Sequence, residues 1–386
     1  MKIFHTADWH LGKVLQGVSL IEEQRYVLEQ FIEAVKKEQP DVVIIAGDLY
    51  DRSVPPAEAV SLLDEVLWKI TVDNHTPVLA IAGNHDSPAR LQFGSRLMQA
   101  NGLHLIGKPT EKGEGTTVEL TDEFGPVQFH LIPFADPSVV RNLTQDESID
   151  SHHRAMQSII SSYGEFQTTT RQVAIAHAFV TAMGEAEENT SDSERPLAIG
   201  GAEYVAADLF KNFHYTALGH LHQAHFTGTE QVRYSGSPMK YSISEEHHQK
   251  GFLVINLDGA GKTTIEKRPL VQKRDIRTVT AFMEDLLKNE PNEDYVFVKL
   301  LDEAPVLFPM EKVRSVYPNA MHVERVINRK LPEQTVSKVS TIERLDDQAL
   351  FKSFYEEVTG MPPDEETETI VRDVLQELLT GKEEFQ

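Results

Sequence analysis

The sequence has no cysteine among its 386 residues, which excludes disulfides, thiolate metal sites and a cysteine nucleophile. It also has no apolar run of the roughly 18 residues that a membrane helix needs. No basic start leads into an apolar stretch of signal-peptide length, so we expect a cytoplasmic protein. Basic residues are in deficit: 37 Lys and Arg against 60 Asp and Glu leave a formal charge of −23. So acidic a surface repels polyanions and excludes a free-standing basic nucleic-acid binder. Any such binding needs a local patch, bound cations or a partner. Aromatics are scarce at 8%, but 40% of the residues are hydrophobic, enough for the cores of two or three domains.

The first two-thirds of the chain alternates short apolar runs with helical patterns, the signature of a layered α/β arrangement. The runs span residues 2–7, 41–46, 77–82, 127–132, 173–176 and 214–218. They are nearly continuous in Val, Ile, Leu and Ala, as strands buried on both faces should be. Between them, Leu28, Phe31, Ile32 and Val35 recur at helical spacing, as do Val60, Leu63, Leu67 and Ile70, and predict helices that cover the sheet. Near residue 270 the texture changes. We expect a domain over 1–270, a small charge-balanced α/β unit over 271–340 and an acidic helical segment over 341–386. Within the second we expect a helix carrying Val279, Phe282, Leu286 and Leu287.

Five polar clusters sit at or just beyond the ends of apolar runs: Asp8-Trp9-His10, Gly47-Asp48-Leu49-Tyr50-Asp51-Arg52, Gly83-Asn84-His85-Asp86, Ala176-His177 and Gly219-His220-Leu221-His222. Loops beyond the carboxyl ends of such strands form the crevice where ligands bind, so the five are expected to converge. Side chains two apart on a strand share a face, which makes Asp8 with His10, and His220 with His222, natural chelating pairs. Asp8, His10, Asp48, Asn84, His177, His220 and His222 are all oxygen or imidazole donors, a set that suits Mn²⁺, Fe²⁺, Zn²⁺ or Mg²⁺. Seven donors exceed one ion's needs. Asp48, in the middle, suits a bridge between two ions about 3.5–4 Å apart, the arrangement that activates water and clamps a phosphoryl oxygen.

In this order the motifs D-x-H, G-D-x-x-D, G-N-H-D, H and G-H-x-H resemble those of the calcineurin-like metallophosphoesterases. The blocks MKIFHTADWHLG, AGDLYDR, AGNHDSPARL, SERPLAIGGAEYV and YSGSPMKYSISE further resemble the nuclease subunits of bacterial DNA-repair complexes that pair a nuclease with a coiled-coil ATPase. The likeness carries specific motifs to about residue 270 and architecture only beyond it. It implies calcineurin-like sheet layers flanked by helices, a small α/β capping domain and a C-terminal helical segment. It also implies one Mn²⁺ (Mg²⁺ as the alternative) on Asp8, His10, Asp48 and His222, and a second on Asp48, Asn84, His177 and His220. His85 would be the non-ligand histidine facing the scissile phosphate, with Asp51 orienting it as a His–Asp pair and Arg52 reaching the phosphate. Position 176 is Ala where many members have Gly, so His177 rests on its strand-end position and order.

The same likeness implies 3′→5′ exonuclease action on duplex ends, endonuclease action on hairpins and single strands, and an ATPase partner. It also implies a homodimer through residues 20–38 and the segment with Leu91, Leu97 and Met98, apolar residues that read equally as ordinary core. Each cluster alone is weak, since a strand-end Asn or Asp is more often a turn residue. His5, His130 and His214 read as core or strand-face residues, and His225 as an ordinary side chain. The basic run Lys267, Arg268, Lys273, Arg274 and Arg277 reads equally as a DNA-facing strip or a solvated strand. The Ser235–Pro238 stretch reads as a turn that, by the likeness, touches the DNA backbone. The apolar stripes of the last segment, Phe351, Phe354, Tyr355 and Val358, then Ile370, Val371, Val374, Leu375, Leu378 and Leu379, suit docking on a partner. Competing readings are another phosphodiesterase of the same fold and a non-catalytic scaffold for DNA ends.

Overall fold

The computed structural model describes residues 1–110, 115–164, 170–184, 192, 194, 203–326 and 347–380. Most of the SERPLAIGGAEYV stretch and the boundary expected at 340–341 lie outside these residues. The chain forms two compact units. One comprises Met1–Thr278, Asn292–Phe297 and Tyr317–Met321, and the other Val279–Pro291, Val298–Val316 and His322–Gln386.

The first unit holds two six-stranded sheets. Their strands, in chain order, are β1 (Lys2–Thr6), β2 (Val42–Ile45), β3 (Val78–Ile81), β4 (Leu103–Ile106), β5 (Thr117–Asp122), β6 (Gly125–Ile132), β7 (Arg171–His177), β8 (Tyr215–Gly219), β9 (His225–Thr227), β10 (Thr229–Tyr234), β11 (Gly251–Leu257) and β12 (Thr263–Pro269). The first sheet runs β12-β11-β1-β2-β3-β4 and the second β9-β10-β8-β7-β6-β5. In the first, β1 to β4 are parallel and β11 and β12 antiparallel; Ile3 faces Val42 on one side and Ile255 on the other. In the second, β6, β7, β8 and β10 are parallel, with antiparallel β5 and β9 at the edges.

Strand alternation builds the layers. Ile3, Val42 and Ile44 point between the sheets, where they meet Val127, Phe129, Val173 and Ile175. Phe4, Val43 and Ile45 point the other way and pack under α1 (Ile21–Glu38) and α2 (Ala57–Trp68). On the far face, Ala174, Ala176 and Leu218 meet Ala155, Met156 and Ile159 of α3 (His152–Ser162). Helix α1 carries Glu22 and Glu23 in its first turn and Lys36 and Lys37 in its last, matching its dipole at both ends. Its Val27, Leu28, Phe31 and Val35 are buried. That apolar face, one half of the expected dimer surface, is therefore core; truncating Phe31 to Ala should cost about 3–5 kcal/mol. His5 is buried and bridges the sheets, with Nδ1 2.8 Å from the Tyr215 hydroxyl and Nε2 3.2 Å from the Leu218 carbonyl. Burial drives it down to about 3, so it is neutral.

One expectation shifts. The helix expected from Val279 is instead a strand, β13 (Ile276–Ala281), followed by a single turn, Met283–Leu286. The alternation of Thr278, Val279 and Thr280 favours a pleated surface over a helix. The basic run is largely consumed by local pairs. Arg268 bonds Glu38 at 3.2 Å, Arg274 bonds Glu23 at 2.5 Å and Glu293 at 3.1 Å, and Arg277 bonds Asp294 at 2.8 Å. In the C-terminal segment, α4 (Asp347–Thr359) and α5 (Glu365–Thr380) form as expected, with Phe354, Val358, Ile370 and Val374 exposed.

Candidate metal centre

The parallel strands β1, β2, β3, β7 and β8 end in the five clusters, three from one sheet and two from the other. The loops after β1 and β2 run side by side: the amides of Asp8, His10 and Leu11 donate to the carbonyls of Gly47, Asp48 and Leu49 at 3.0–3.1 Å. This pairing bends the backbone. Asp8, His10, Asp48 and His220 all have positive φ, at 55°, 44°, 50° and 110°, a conformation that L residues adopt at a cost of order 1–3 kcal/mol and that gathers at functional sites. Close approach does the rest. A Cβ on Gly83 would overlap the Asp48 carboxylate, and one on Gly219 would overlap the Ala46 carbonyl.

Backbone amides aim the carboxylates. His220 N donates to Asp8 Oδ1 at 3.0 Å and His85 N donates to Asp48 Oδ1 at 2.9 Å. Around them the seven expected donors come together. His10 Nε2 lies 3.0 Å from His222 Nε2 and 3.6 Å from Asp48 Oδ2. His177 Nε2 lies 2.9 Å from Asn84 Oδ1 and 3.4 Å from Asp48 Oδ2, and His220 Nδ1 lies 3.3 Å from Asn84 Oδ1. The sets Asp8, His10, His222 and Asp8, Asp48, His177 each bring their ligand atoms within 4.8 Å of one another, fully buried.

This donor set fits divalent cations. All of it is oxygen or imidazole nitrogen, and the buried His10 Nδ1 has no hydrogen-bond partner. The charge states of the metal-free site agree. Burial pushes the Asp8 carboxyl up to about 7, against the pull of His177 and His222. Burial presses Asp48 the same way, yet the neighbouring His177, His10 and His85 hold it well below the usual carboxylate range. Burial also opposes a proton on His177, but Asp48 and Asp8 outweigh it and raise the ring to about 9. Burial keeps His10 and His220 well below their ordinary value, so both are neutral and hold lone pairs. Protons on Asp8 and His177 thus do part of what a cation would do.

His85 is buried at the mouth, its ring edge-on to His10 at 4.7 Å. The expected pairing with Asp51 takes a different form. His85 Nδ1 lies 2.8 Å from the Asp51 backbone carbonyl, not from its carboxylate. The carboxylate turns instead to Lys13 Nζ at 2.9 Å, with His10 Nδ1 at 3.8 Å. A carbonyl only accepts, so it fixes the same tautomer, Nδ1–H, that a carboxylate would. Arg52, next in the chain, is exposed.

Several supporting residues carry no role in the sequence reading. Asp86 is buried and accepts from the amides of Gly83, Leu49 and Tyr50 at 3.0–3.1 Å, tying the third loop to the second. Burial and the Asp48 charge push it up to about 7. Gln24 donates to the carbonyls of Trp9 and His10 at 3.0 and 2.7 Å. The Ser235–Pro238 turn faces inward: Ser237 is buried and accepts from Lys250 at 2.8 Å, so it braces the His222 loop and is not a surface contact. The G-N-H-D motif signalled Asp86 and the YSGSPMKYSISE block Ser237, while nothing local marked Gln24.

The calcineurin-like phosphoesterase family matches residues 1–224, and a domain described as the type 5 capsule protein repressor C-terminal domain matches residues 272–359. The curated SbcD subunit of the nuclease SbcCD from Staphylococcus epidermidis is 34% identical over 363 residues, covering 93% of this chain and 94% of that protein. Its counterpart in Staphylococcus saprophyticus is 33% identical over 367 residues, with the same coverage. Among solved structures, a dimetal phosphatase from Danio rerio is 14% identical with a TM-score of 0.41, covering 70% of this chain and 97% of its own. The chain belongs to the calcineurin-like phosphoesterase family and, within it, to the SbcD family of SbcCD nuclease subunits.

Proposed function

We propose that the chain is a metal-dependent DNA nuclease that hydrolyses phosphodiester bonds as the SbcD partner of an SbcC-type coiled-coil ATPase. The observation that carries this reading is the convergence of seven oxygen and imidazole donors, six of them buried and Asn84 half-buried, from five strand ends, in a chain one-third identical to two SbcCD nuclease subunits. Asp8, His10, Asp48 and His222 would hold one ion, and Asp48, Asn84, His177 and His220 the other, with Mn²⁺ proposed over Mg²⁺. Bound there, two divalent ions supply a water-derived nucleophile at neutral pH and neutralise charge on the phosphoryl oxygens.

The chain's own residues do the remainder. His85, with Nδ1–H held by the Asp51 carbonyl, presents Nε2 to a phosphate oxygen or to the leaving 3′ oxygen. Asp51 keeps Lys13 at the rim, and the exposed Arg52 would meet a backbone phosphate. Wild-type and His85→Ala protein compared on linear duplex DNA with Mn²⁺ test this: turnover should fall with His85 removed while Mn²⁺ still binds.

The finer assignments belong to the same proposal. They are 3′→5′ exonuclease action on duplex ends, endonuclease action on hairpins and single strands, and a cytoplasmic place beside the DNA. The proposed divisions remain 1–270 for the nuclease, 271–340 for the capping domain and 341–386 for partner docking. The chain's charge of −23 supports a subunit that draws DNA affinity from its partner. A homodimer is supported by a groove of about 810 Å³ lined by Leu63, Leu67, Trp68, Leu91, Phe93 and Met98. Trp68 and Phe93 at its edge are 58% and 83% exposed, large apolar side chains left open to a second copy.

A further inference from the structure

The stretch after β10 ends in Glu245 and Lys250, to which sequence reasoning gives no role. Glu245 is 0% exposed, and its two oxygens hold His222 and Lys250, with the Tyr241 amide also donating to Oε2 at 3.3 Å. Oε1 lies 3.0 Å from His222 Nδ1 and Oε2 2.5 Å from Lys250 Nζ. Lys250 Nζ also donates to the His222 carbonyl at 2.9 Å and to Ser237 Oγ at 2.8 Å. One buried ion pair therefore holds both the ring and the backbone of His222.

An ionised carboxylate can only accept, so His222 carries a hydrogen on Nδ1, which leaves Nε2, on the His10 side, as the atom that would meet a metal ion. The Tyr241 ring seals the pair, edge-on to His10 at 5.4 Å and to His222 at 5.7 Å. The other half of the site is built differently. His177 Nδ1 faces a neutral acceptor, the Ala46 carbonyl at 2.9 Å, and His220 Nδ1 lies 3.3 Å from Asn84, itself a candidate ligand. A charged acceptor forms the stronger hydrogen bond and makes the opposite ring nitrogen the better donor to a metal.

We propose that Glu245 is a positioning residue that makes the His10–His222 half of the centre bind its divalent ion more tightly than the His177–His220 half, so that the two ions load in order. This rests on the two-ion reading above. Lys250 balances the carboxylate, so the pair adds no net charge to the interior.

The test is calorimetric titration of Mn²⁺ into the metal-stripped full chain, with electron paramagnetic resonance at one equivalent of Mn²⁺. Wild type should show two unequal sites and, at one equivalent, the spectrum of an isolated ion. Glu245→Gln should weaken the tighter site about 10–100-fold, leave the weaker within about threefold, and add a spin-coupled pair signal at one equivalent. Glu245→Gln with Lys250→Met leaves no unpaired buried charge and should show the same loss. His220→Ala should remove the weaker site only. Recovery of wild-type affinity in the double variant would make Glu245 merely the counter-ion of Lys250 and overturn the inference. Equal weakening of both sites, or two equal sites in the wild type, would overturn it as well. A wild type that takes up no Mn²⁺ would instead refute the two-ion reading on which it stands.

Discussion

Replacing Gly83 by Ala tests whether Asp48 is shared between the two ions. The added Cβ would overlap Asp48 Oδ1 and the Asp48 amide and sit 2.7 Å from the carboxylate carbon. Carbon atoms rest about 3.5–4.0 Å apart, so the Asp48 side chain or the third loop must move by about 1 Å. Repacking of this kind costs about 1–3 kcal/mol, which at this chain length lowers Tm by a few degrees and leaves the fold intact. The site suffers more than the fold. Asp48 also accepts from His85 N at 2.9 Å, so one displacement disturbs both proposed ions and the His85 loop together. Calorimetry with Mn²⁺ should show both affinities reduced at least 10–100-fold. Gly125→Ala is the control: its φ is 105° and nothing lies within 4 Å of the added carbon, so it should cost backbone strain and leave Mn²⁺ binding unchanged. If Gly83→Ala keeps both affinities, Asp48 does not hold the two ions.

His85→Ala should lower turnover about 10²–10⁴-fold, the usual worth of a positioned acid or base, with both Mn²⁺ affinities kept; calorimetry beside a nuclease assay checks this. In metal-free protein, His177 is raised to about 9 from 6.5, so between those values the folded state holds a proton that the unfolded chain has released. Its contribution, about 3 kcal/mol, is complete below pH 6.5 and lost as pH rises through 9. His10 and His220, held low, act in the opposite direction but only below 6.5. Metal-free Tm should therefore fall from pH 6.5 to 9 while the increment on adding Mn²⁺ grows, since the ions take the deprotonated ring; a flat increment would contradict the assigned charge states. Deleting residues 341–386 should abolish binding to an SbcC-type ATPase and leave Mn²⁺-dependent hydrolysis of a small phosphodiester intact. Loss of both would place the docking segment inside the nuclease fold.

What was legible in the sequence is what parallel strands make legible. A strand buried on both faces is a continuous apolar run, and the residues just past its end have no packing duty, so Asp8, Asp48, Asn84, His85, His177 and His220 stood out. Order along the chain then supplied the site, even with Ala at 176, because His177 is held by the Ala46 carbonyl across the sheets. Contacts made by distant residues were not legible. Gln24 reaches the centre from a helix that carries no motif, and Glu245 closes the YSGSPMKYSISE block, yet nothing in that block marks its carboxylate as facing His222. Asp51 shows a finer limit: the sequence places it beside His85, but only the backbone path decides that its carbonyl, and not its carboxylate, meets the ring. Strand β11 has an apolar core, Phe252 to Ile255, yet its place beside β1 depends on a pairing across some 250 residues. The ion pairs of Arg268, Arg274 and Arg277 likewise needed the positions of Glu38, Glu23 and Asp294.

Whether DNA ends are the substrate is decided by incubating metal-stripped protein, resupplied with Mn²⁺ and an SbcC-type ATPase, with linear duplex DNA and with a covalently closed circle of the same sequence. A two-ion nuclease acting on ends degrades the linear form and spares the circle, with wild type active and His85→Ala inactive on both. If neither DNA is cut while a small phosphodiester is hydrolysed, the two-ion centre stands and the assignment of DNA as substrate is wrong.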